Sequence, residues 1–215
     1  MALRTGCFGK LAPLLVVAAA TVGTAYASCL YECPLRGSEH SATDDERVTI
    51  PTEGLPHKGA GFGAKITMVE CSDFGCPFSK RARGTVDELL AHNDDLAFFH
   101  VHFPLGMFEH SELEAAASVA AQYQGRFWEM HDALFEASIG SEQAAIELAG
   151  KLGLDTARFA ADLRRPATRA EVARQRGLCK EAGVRGVPTF FINGRRVVGS
   201  IPLDQFQRVI DEERG

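Results

Sequence analysis

A surplus of basic residues is absent from this sequence: 23 Lys and Arg stand against 28 Asp and Glu, a formal net charge of -5. That balance lacks the electrostatic footprint of a nucleic-acid-binding chain. Low-complexity segments are absent too, so nothing marks a repetitive or wholly disordered protein. A long hydrophobic run is also missing. The most apolar stretch, residues 11–22, falls short of the about 20 residues that span a bilayer. With 46% hydrophobic and 24% charged residues among 215, the chain suits one globular domain carrying a large insertion.

The short apolar stretch fits an export signal. Arg4 and Lys10 supply a basic start, and Ala25-Tyr26-Ala27 offers a small-x-small cleavage site before Ser28. Residues 1–27 are therefore expected to be a signal peptide. An uncleaved anchor, tethering the protein to a membrane through its N-terminus, ranks second. Lipidation at Cys29 is the third reading: Ala27 and Ser28 suit a lipoprotein signal, whereas Tyr26 stands where an aliphatic residue is expected. All three export the protein, to the periplasm or cell envelope, where disulfides persist. Residues 28–46 are polar and charged and read as an exposed linker. Cys29 and Cys33 lie in it with His40, too few ligands for a zinc site.

Of six cysteines, Cys7 leaves with the signal. Cys29, Cys33, Cys71, Cys76 and Cys179 remain. An odd number in an exported protein leaves at least one thiol free, lipidated or bonded to another molecule. The local context selects Cys76 as the leftover, and the sequence does not choose how the other four pair.

That context is Glu70-Cys71-Ser72-Asp73-Phe74-Gly75-Cys76-Pro77-Phe78-Ser79-Lys80-Arg81. Residues 66–71 read as an apolar strand, buried on both faces as in a central parallel strand. A helix follows to about residue 92, with Val86, Leu89 and Leu90 at helical spacing and Pro77 at a first helical position that tolerates proline. Cys76 therefore meets unpaired backbone N–H groups and the positive end of the helix dipole. Both favour the thiolate, which is the nucleophile.

The remaining elements follow from periodicity and turn signals. Residues 48–50 form a brief extended segment and residues 54–63 a Gly- and Pro-rich loop. Residues 96–103 form the next strand, with Phe98, His100 and His102 on one face. The two histidines, with His110 further on, are candidate metal ligands. They lack an acidic or thiol partner at suitable spacing, so they read as partly buried polar groups near a sheet edge and no metal is assigned. From about residue 109 to 183 the pattern is helical: 111–123, 127–135, 141–152, a helix capped by Asp155, and 169–182. Residues 188–192 and 196–199 form a hairpin about Asn193-Gly194. Residues 202–213 close the chain as a helix. Strand, helix, strand, a block of helices, then hairpin and helix is an α/β order of the thioredoxin type with a helical insertion.

Residues 69–78 resemble the active-site stretch of the DsbA-like branch of the thioredoxin superfamily. Three further stretches share the likeness: Phe103-Pro104-Leu105 with His110, residues 124–131, and residues 183–194. The resemblance runs from about residue 48 to the C-terminus, and it implies a DsbA-like fold over residues 47–215. It implies thiol–disulfide oxidoreductase or isomerase chemistry on cysteine-containing exported proteins, with a redox partner the sequence does not identify and no bound cofactor. It also implies that Pro188 is cis and lies against Cys76, turning the backbone of Val187 toward the thiol. Pro77, Phe78 and Val187 are the expected substrate contacts.

The chain departs from the family in one place. The usual Cys-Pro-x-Cys is Cys-Pro-Phe-Ser, so Ser79 replaces the resolving cysteine. Its hydroxyl is expected to donate to the Cys76 thiolate. Three mechanisms stay open: a monothiol released by an external thiol; resolution by Cys71 or Cys179; or a non-turnover, chaperone-like binding protein. Kappa-class glutathione transferases and related isomerases share the fold and use a serine near this helix start. That reading ranks below the others, because Cys76, not Ser79, holds the nucleophile position and the export signal argues against dependence on cytosolic glutathione.

Overall fold

The computed structural model describes residues 47–215. The expected signal peptide, linker and N-terminal tether, with Cys29, Cys33 and His40, lie outside these residues. The described part is organised on a five-stranded sheet: β1 (His57–Gly59), β2 (Ile66–Ser72), β3 (Leu96–His102), β4 (Thr189–Ile192) and β5 (Arg195–Val198). Spatially the order is β1-β3-β2-β4-β5. Only β2 and β3 are parallel, in register from Ile66 with Leu96 to Ser72 with His102. The other neighbours are antiparallel.

The parallel pair is joined by α1 (Pro77–His92), and α7 (Leu203–Arg214) packs on the same face. Ile66, Met68, Phe98, Phe190 and Ile192 from the sheet meet Val86 and Leu89 of α1 and Phe206 and Ile210 of α7 there. Between β3 and β4 the chain makes α2 (Ser111–Gln122), α3 (Phe127–Glu136), α4 (Glu142–Lys151), α5 (Thr156–Arg164) and α6 (Pro166–Glu181). These helices share a core of their own, including Ala117, Met130, Leu134 and Phe159. The opposite sheet face, with Val69, Cys71, Phe99, Val101 and Phe191, buries against Cys179 and Ala182. Among the described residues no helix is long and apolar enough to cross a membrane.

Local chemistry explains most boundaries. Ser141 and Asp155 cap α4 and α5 by accepting from Ala144 N and Arg158 N. Asn193 and Gly194 both take positive φ, 47° and 89°, as a two-residue hairpin turn requires. α6 begins at Pro166 rather than residue 169, since proline is accommodated at its first turn.

Two expectations are corrected. The loop expected over residues 54–63 contains β1, which pairs with residues 97–99 of β3. Three residues inside a Gly/Pro-rich stretch are too few to show alternation. Gly59 makes the pairing possible, because a Cβ there would stand 2.3 Å from the Leu96 carbonyl oxygen. Residues 48–50, expected as a brief extended segment, lie outside the five strands, and Val48 N donates to Gly194 O at 2.9 Å. His100 and His102 are not near an exposed sheet edge, since β1 flanks β3 on its outer side and both are fully buried.

Candidate active site

The site forms where β2 runs into α1. Asp73 orders the turn between them. Its Oδ1 accepts from Gly75 N at 2.9 Å and Ser111 Oγ at 2.5 Å, and its Oδ2 accepts from Leu105 N at 2.6 Å. Burial pushes the Asp73 carboxyl group up from its usual range, against the opposing pull of these donors. Gly75 lets the neighbouring loop close in: a Cβ there would lie 2.7 Å from Phe108 Cβ.

Cys76 is the N-cap of α1 with Pro77 behind it. The cysteine is 4% exposed, and its thiol lies 3.5 Å from the carbonyl oxygen of Val187 and is oriented to donate to it. The Val187–Pro188 peptide bond is cis, and Val187 is half-buried. Pro77 and Phe78 are exposed beside the thiol, and Arg81 lies over the Phe78 ring. Cys76, Pro77, Phe78, Val187 and Pro188 are thus gathered in one place.

Ser79 does not make the expected bond. It is 1% exposed, and its hydroxyl has no hydrogen-bond partner among the described residues. Ser79 lies with Ala82, Val86 and Leu89 on the buried face of α1, while the Cys76 thiol is turned to the Val187 carbonyl oxygen.

Nor are Cys71 and Cys179 available to resolve Cys76. They are bonded to each other, with Cα atoms 6.1 Å apart. Strand alternation accounts for this: Ile66 and Met68 face α1, and Cys71 faces the opposite way, onto α6. Cys76 is the one free cysteine among the described residues.

Beneath the turn lies a buried polar cluster. Glu70 stands opposite His100 and Ser72 opposite His102 in the β2–β3 register. The hydrogen bonds form a chain. Ser118 Oγ donates to Ala115 O at 2.8 Å and therefore accepts from His102 Nε2 at 2.9 Å. That leaves His102 Nδ1 to accept from His100 Nε2 at 3.2 Å. Both rings are then neutral, in line with burial, which pulls His102 down to about 3 and His100 well below its ordinary value. Burial also lowers His131, while its Asp132 partner at 2.8 Å opposes the shift. Phe74 packs on His100, His131 and Phe135, so the cluster supports the turn that carries Cys76. Glu70 is driven up to about 8 by burial, and one of its oxygens has no partner among the described residues. No group of three or more His, Cys, Asp or Glu among those residues is placed to hold a metal.

Beside Cys76 opens a cavity of about 460 Å³, walled by α1, the loop before α2, and the end of α3. Sequence reasoning did not find it, nor Asp73, His131 and Glu114. Asp-x-Gly at residues 73–75 is a recognisable side-chain turn. Glu114 is one of two acids, with Glu112, in the first turn of an alanine-rich helix, and no local signal separates the buried one from the other. No spacing rule connects His131 to His100.

The DSBA-like thioredoxin domain family matches residues 67–211. The chain is 38% identical over 153 residues to a Na(+)/H(+) antiporter NhaA of Herminiimonas arsenicoxydans, covering 70% of this chain and 24% of that protein. It is 35% identical over 157 residues to an NhaA 1 of Mycolicibacterium gilvum, covering 71% and 25%. The chain thus spans about a quarter of the length of these curated relatives, and the antiporter name describes those longer proteins. Among solved structures, a thioredoxin-like oxidoreductase from Silicibacter pomeroyi is 29% identical with a TM-score of 0.67, covering 74% of this chain and 92% of that one. BdbD from Bacillus subtilis, in its oxidised form, superposes with a TM-score of 0.69 at 21% identity, covering 78% and 97%. A periplasmic thioredoxin-like protein from Salmonella enterica serovar Typhimurium gives 0.62 at 20%, covering 74% and 90%. The last two likenesses are of fold alone.

Proposed function

The chain belongs to the DSBA-like thioredoxin domain family, and on that footing we propose that it is an exported thiol–disulfide exchange protein working through a single cysteine, Cys76. The observation that carries the proposal is the placing of the cysteines. The free thiol caps a helix N-terminus against Val187, Ser79 fills the second position, and the other two described cysteines are tied to each other. Export is supported by the signal-like layout of residues 1–28 and by a disulfide that suits an oxidising compartment.

The chemistry balances without a second active-site sulfur. The Cys76 thiolate attacks one sulfur of a substrate disulfide. The substrate S–S bond breaks, a Cys76–substrate disulfide forms, and the other substrate sulfur leaves as a thiolate. Another thiolate, from the substrate or a small-molecule thiol, then attacks the substrate sulfur. A new disulfide forms and Cys76 leaves as thiolate. No electrons are retained by the protein, so the outcome is exchange or isomerisation. Net oxidation of a dithiol would need Cys76 to enter the reaction as a disulfide, and with Ser79 in the second position that disulfide would have to be made with an external thiol by an added oxidant. The exposed Pro77 and Phe78 and the backbone of Val187 would receive an extended substrate segment.

The serine at position 79, with no second free thiol among the described residues, also favours a second reading, a protein that captures cysteine-bearing clients without releasing them. One experiment separates the two: recovery of a scrambled disulfide protein in a dilute glutathione buffer. Faster recovery that depends on Cys76 supports exchange. A stable Cys76–client disulfide with no gain in recovery supports capture. Recovery unchanged by Cys76→Ala, with no mixed disulfide, removes both.

A further inference from the structure

The cavity beside Cys76 carries a chemical preference of its own. Its walls include Lys80 of α1, Met107 and Phe108 of the preceding loop, Glu114 of α2 and Phe135 of α3. Its volume, about 460 Å³, is ordinary for a small-ligand site (about 300–1,000 Å³). Met107 is 69% exposed at its rim.

Glu114 is the unusual member. It is 1% exposed. One carboxyl oxygen accepts from Ser138 Oγ at 2.6 Å and Ile139 N at 3.2 Å. The other oxygen is buried and has no hydrogen-bond partner among the described residues. A buried acceptor left empty is costly, and more so when it can carry charge. The basic groups of the cavity do not answer it. Lys80 Nζ turns to Glu136, 3.4 Å from its backbone oxygen and 3.9 Å from its carboxyl group. His110 Nε2 turns to Glu109 at 3.9 Å. An unanswered acid, apolar walls and the reactive thiol therefore share one cavity.

We propose that this cavity is a subsite for a basic side chain, lysine or arginine, next to the cysteine of the polypeptide that reacts with Cys76. The subsite deepens the exchange function proposed above and rests on it. The alkyl stem lies along Met107, Phe108 and Phe135, as long basic side chains cover apolar surface. The ammonium or guanidinium donates to the empty Glu114 oxygen, a charge-assisted bond stronger than a neutral one. Polypeptides with an acidic residue beside the cysteine are disfavoured at the same place.

The test uses short peptides whose cysteine is capped as a mixed disulfide with 5-thio-2-nitrobenzoate. Attack by Cys76 on the peptide sulfur breaks that disulfide, bonds the peptide to Cys76 and releases one coloured thiolate per event. Lysine, norleucine and glutamate are compared on either side of the cysteine. In the wild-type protein lysine should react about tenfold faster than norleucine, with glutamate slowest. The lysine-to-norleucine ratio should fall to within about twofold in Glu114→Gln. Because the ratio is read within each protein, a general loss of reactivity cancels. Should Glu114→Gln not fold, Met107→Lys at the exposed rim carries the test, and its like charge should reduce the ratio. A wild-type ratio near one, or a ratio that survives these variants, overturns the subsite while leaving exchange standing. No release from any peptide overturns the exchange reading, and the subsite with it.

Discussion

The thiol of Cys76 and the carbonyl oxygen of Val187 stand 3.5 Å apart although 111 residues separate them. One belongs to the strand-to-helix turn and the other to the loop that carries the cis bond to Pro188. The reactive sulfur is thus held between two chain segments that meet only in the folded protein, and its chemistry should depend on that meeting.

Among the three described cysteines, alkylation should therefore single out Cys76. In native protein without reductant, iodoacetamide should label Cys76 and leave Cys71 and Cys179 untouched until reduction and unfolding. Mass mapping of wild type and Cys76→Ala checks this. Label on Cys71 or Cys179 in the native state would contradict the pairing.

Restoring a sulfur at position 79 should change the type of reaction. Ser79 is small and buried, and among the described residues its hydroxyl has no hydrogen bond that a thiol would break. In Ser79→Cys the introduced thiol should form a disulfide with Cys76 on oxidation, and the variant should oxidise a model dithiol peptide stoichiometrically where wild type does not. A variant that holds two free thiols after oxidation would refute the expectation.

The Cys71–Cys179 bond spans 108 residues and should act on stability rather than reactivity. Loss of a disulfide closing so long a loop costs about 2–5 kcal/mol. The double variant Cys71→Ala/Cys179→Ala should unfold at lower urea, and Cys76 should keep its alkylation rate. A fall in that rate with folding intact would tie the disulfide to the chemistry.

Stability should also carry a pH signature with two arms. Glu70 is raised from 4.5 to about 8, so the folded state holds a proton the unfolded chain has lost. Its contribution is fully present below 4.5 and is lost as pH rises through 8, by about 1.4 kcal/mol per pH unit in between. His102 is lowered from 6.5 to about 3. Its contribution is present above 6.5 and is lost as pH falls toward 3, with His100 and His131 acting in the same direction. Between 6.5 and 8 only Glu70 of these groups acts. Urea midpoints of Glu70→Gln should lack the wild-type decline in that window; an equal decline in both proteins would show that Glu70 is not its source.

How much of this was legible in the chain varies with the range of the interaction. The turn at Cys76 was readable because a strand, a proline and a helical apolar face are all local signals. Asp155 and Asn193-Gly194 announced their roles for the same reason. Cys71 was half legible: alternation along β2 places it opposite Met68, but its partner lies in α6, and only folding brings the two together. The empty Ser79 hydroxyl depends on which face of α1 meets the sheet, and β1 on pairing that three residues cannot advertise. The histidine cluster and the Glu114 cavity need β3, α2 and α3 assembled first, so no local pattern could have drawn them.

Asp73 has a consequence for recognition. A single carboxyl group holds Gly75, Leu105 and Ser111, and Phe108 rests where Gly75 leaves room. The turn bearing the thiol, the loop facing it and the start of α2 are consequently pinned as one rigid body. Under the proposed exchange function, an incoming polypeptide would meet a preorganised wall, and little of its binding free energy would be diverted to freezing a loop. Discrimination between such clients would then rest on the fit of their side chains, with the entropy loss falling mainly on the flexible partner. Clients in an unfolded or loosely folded state, able to mould to a fixed surface, would be the ones this geometry selects.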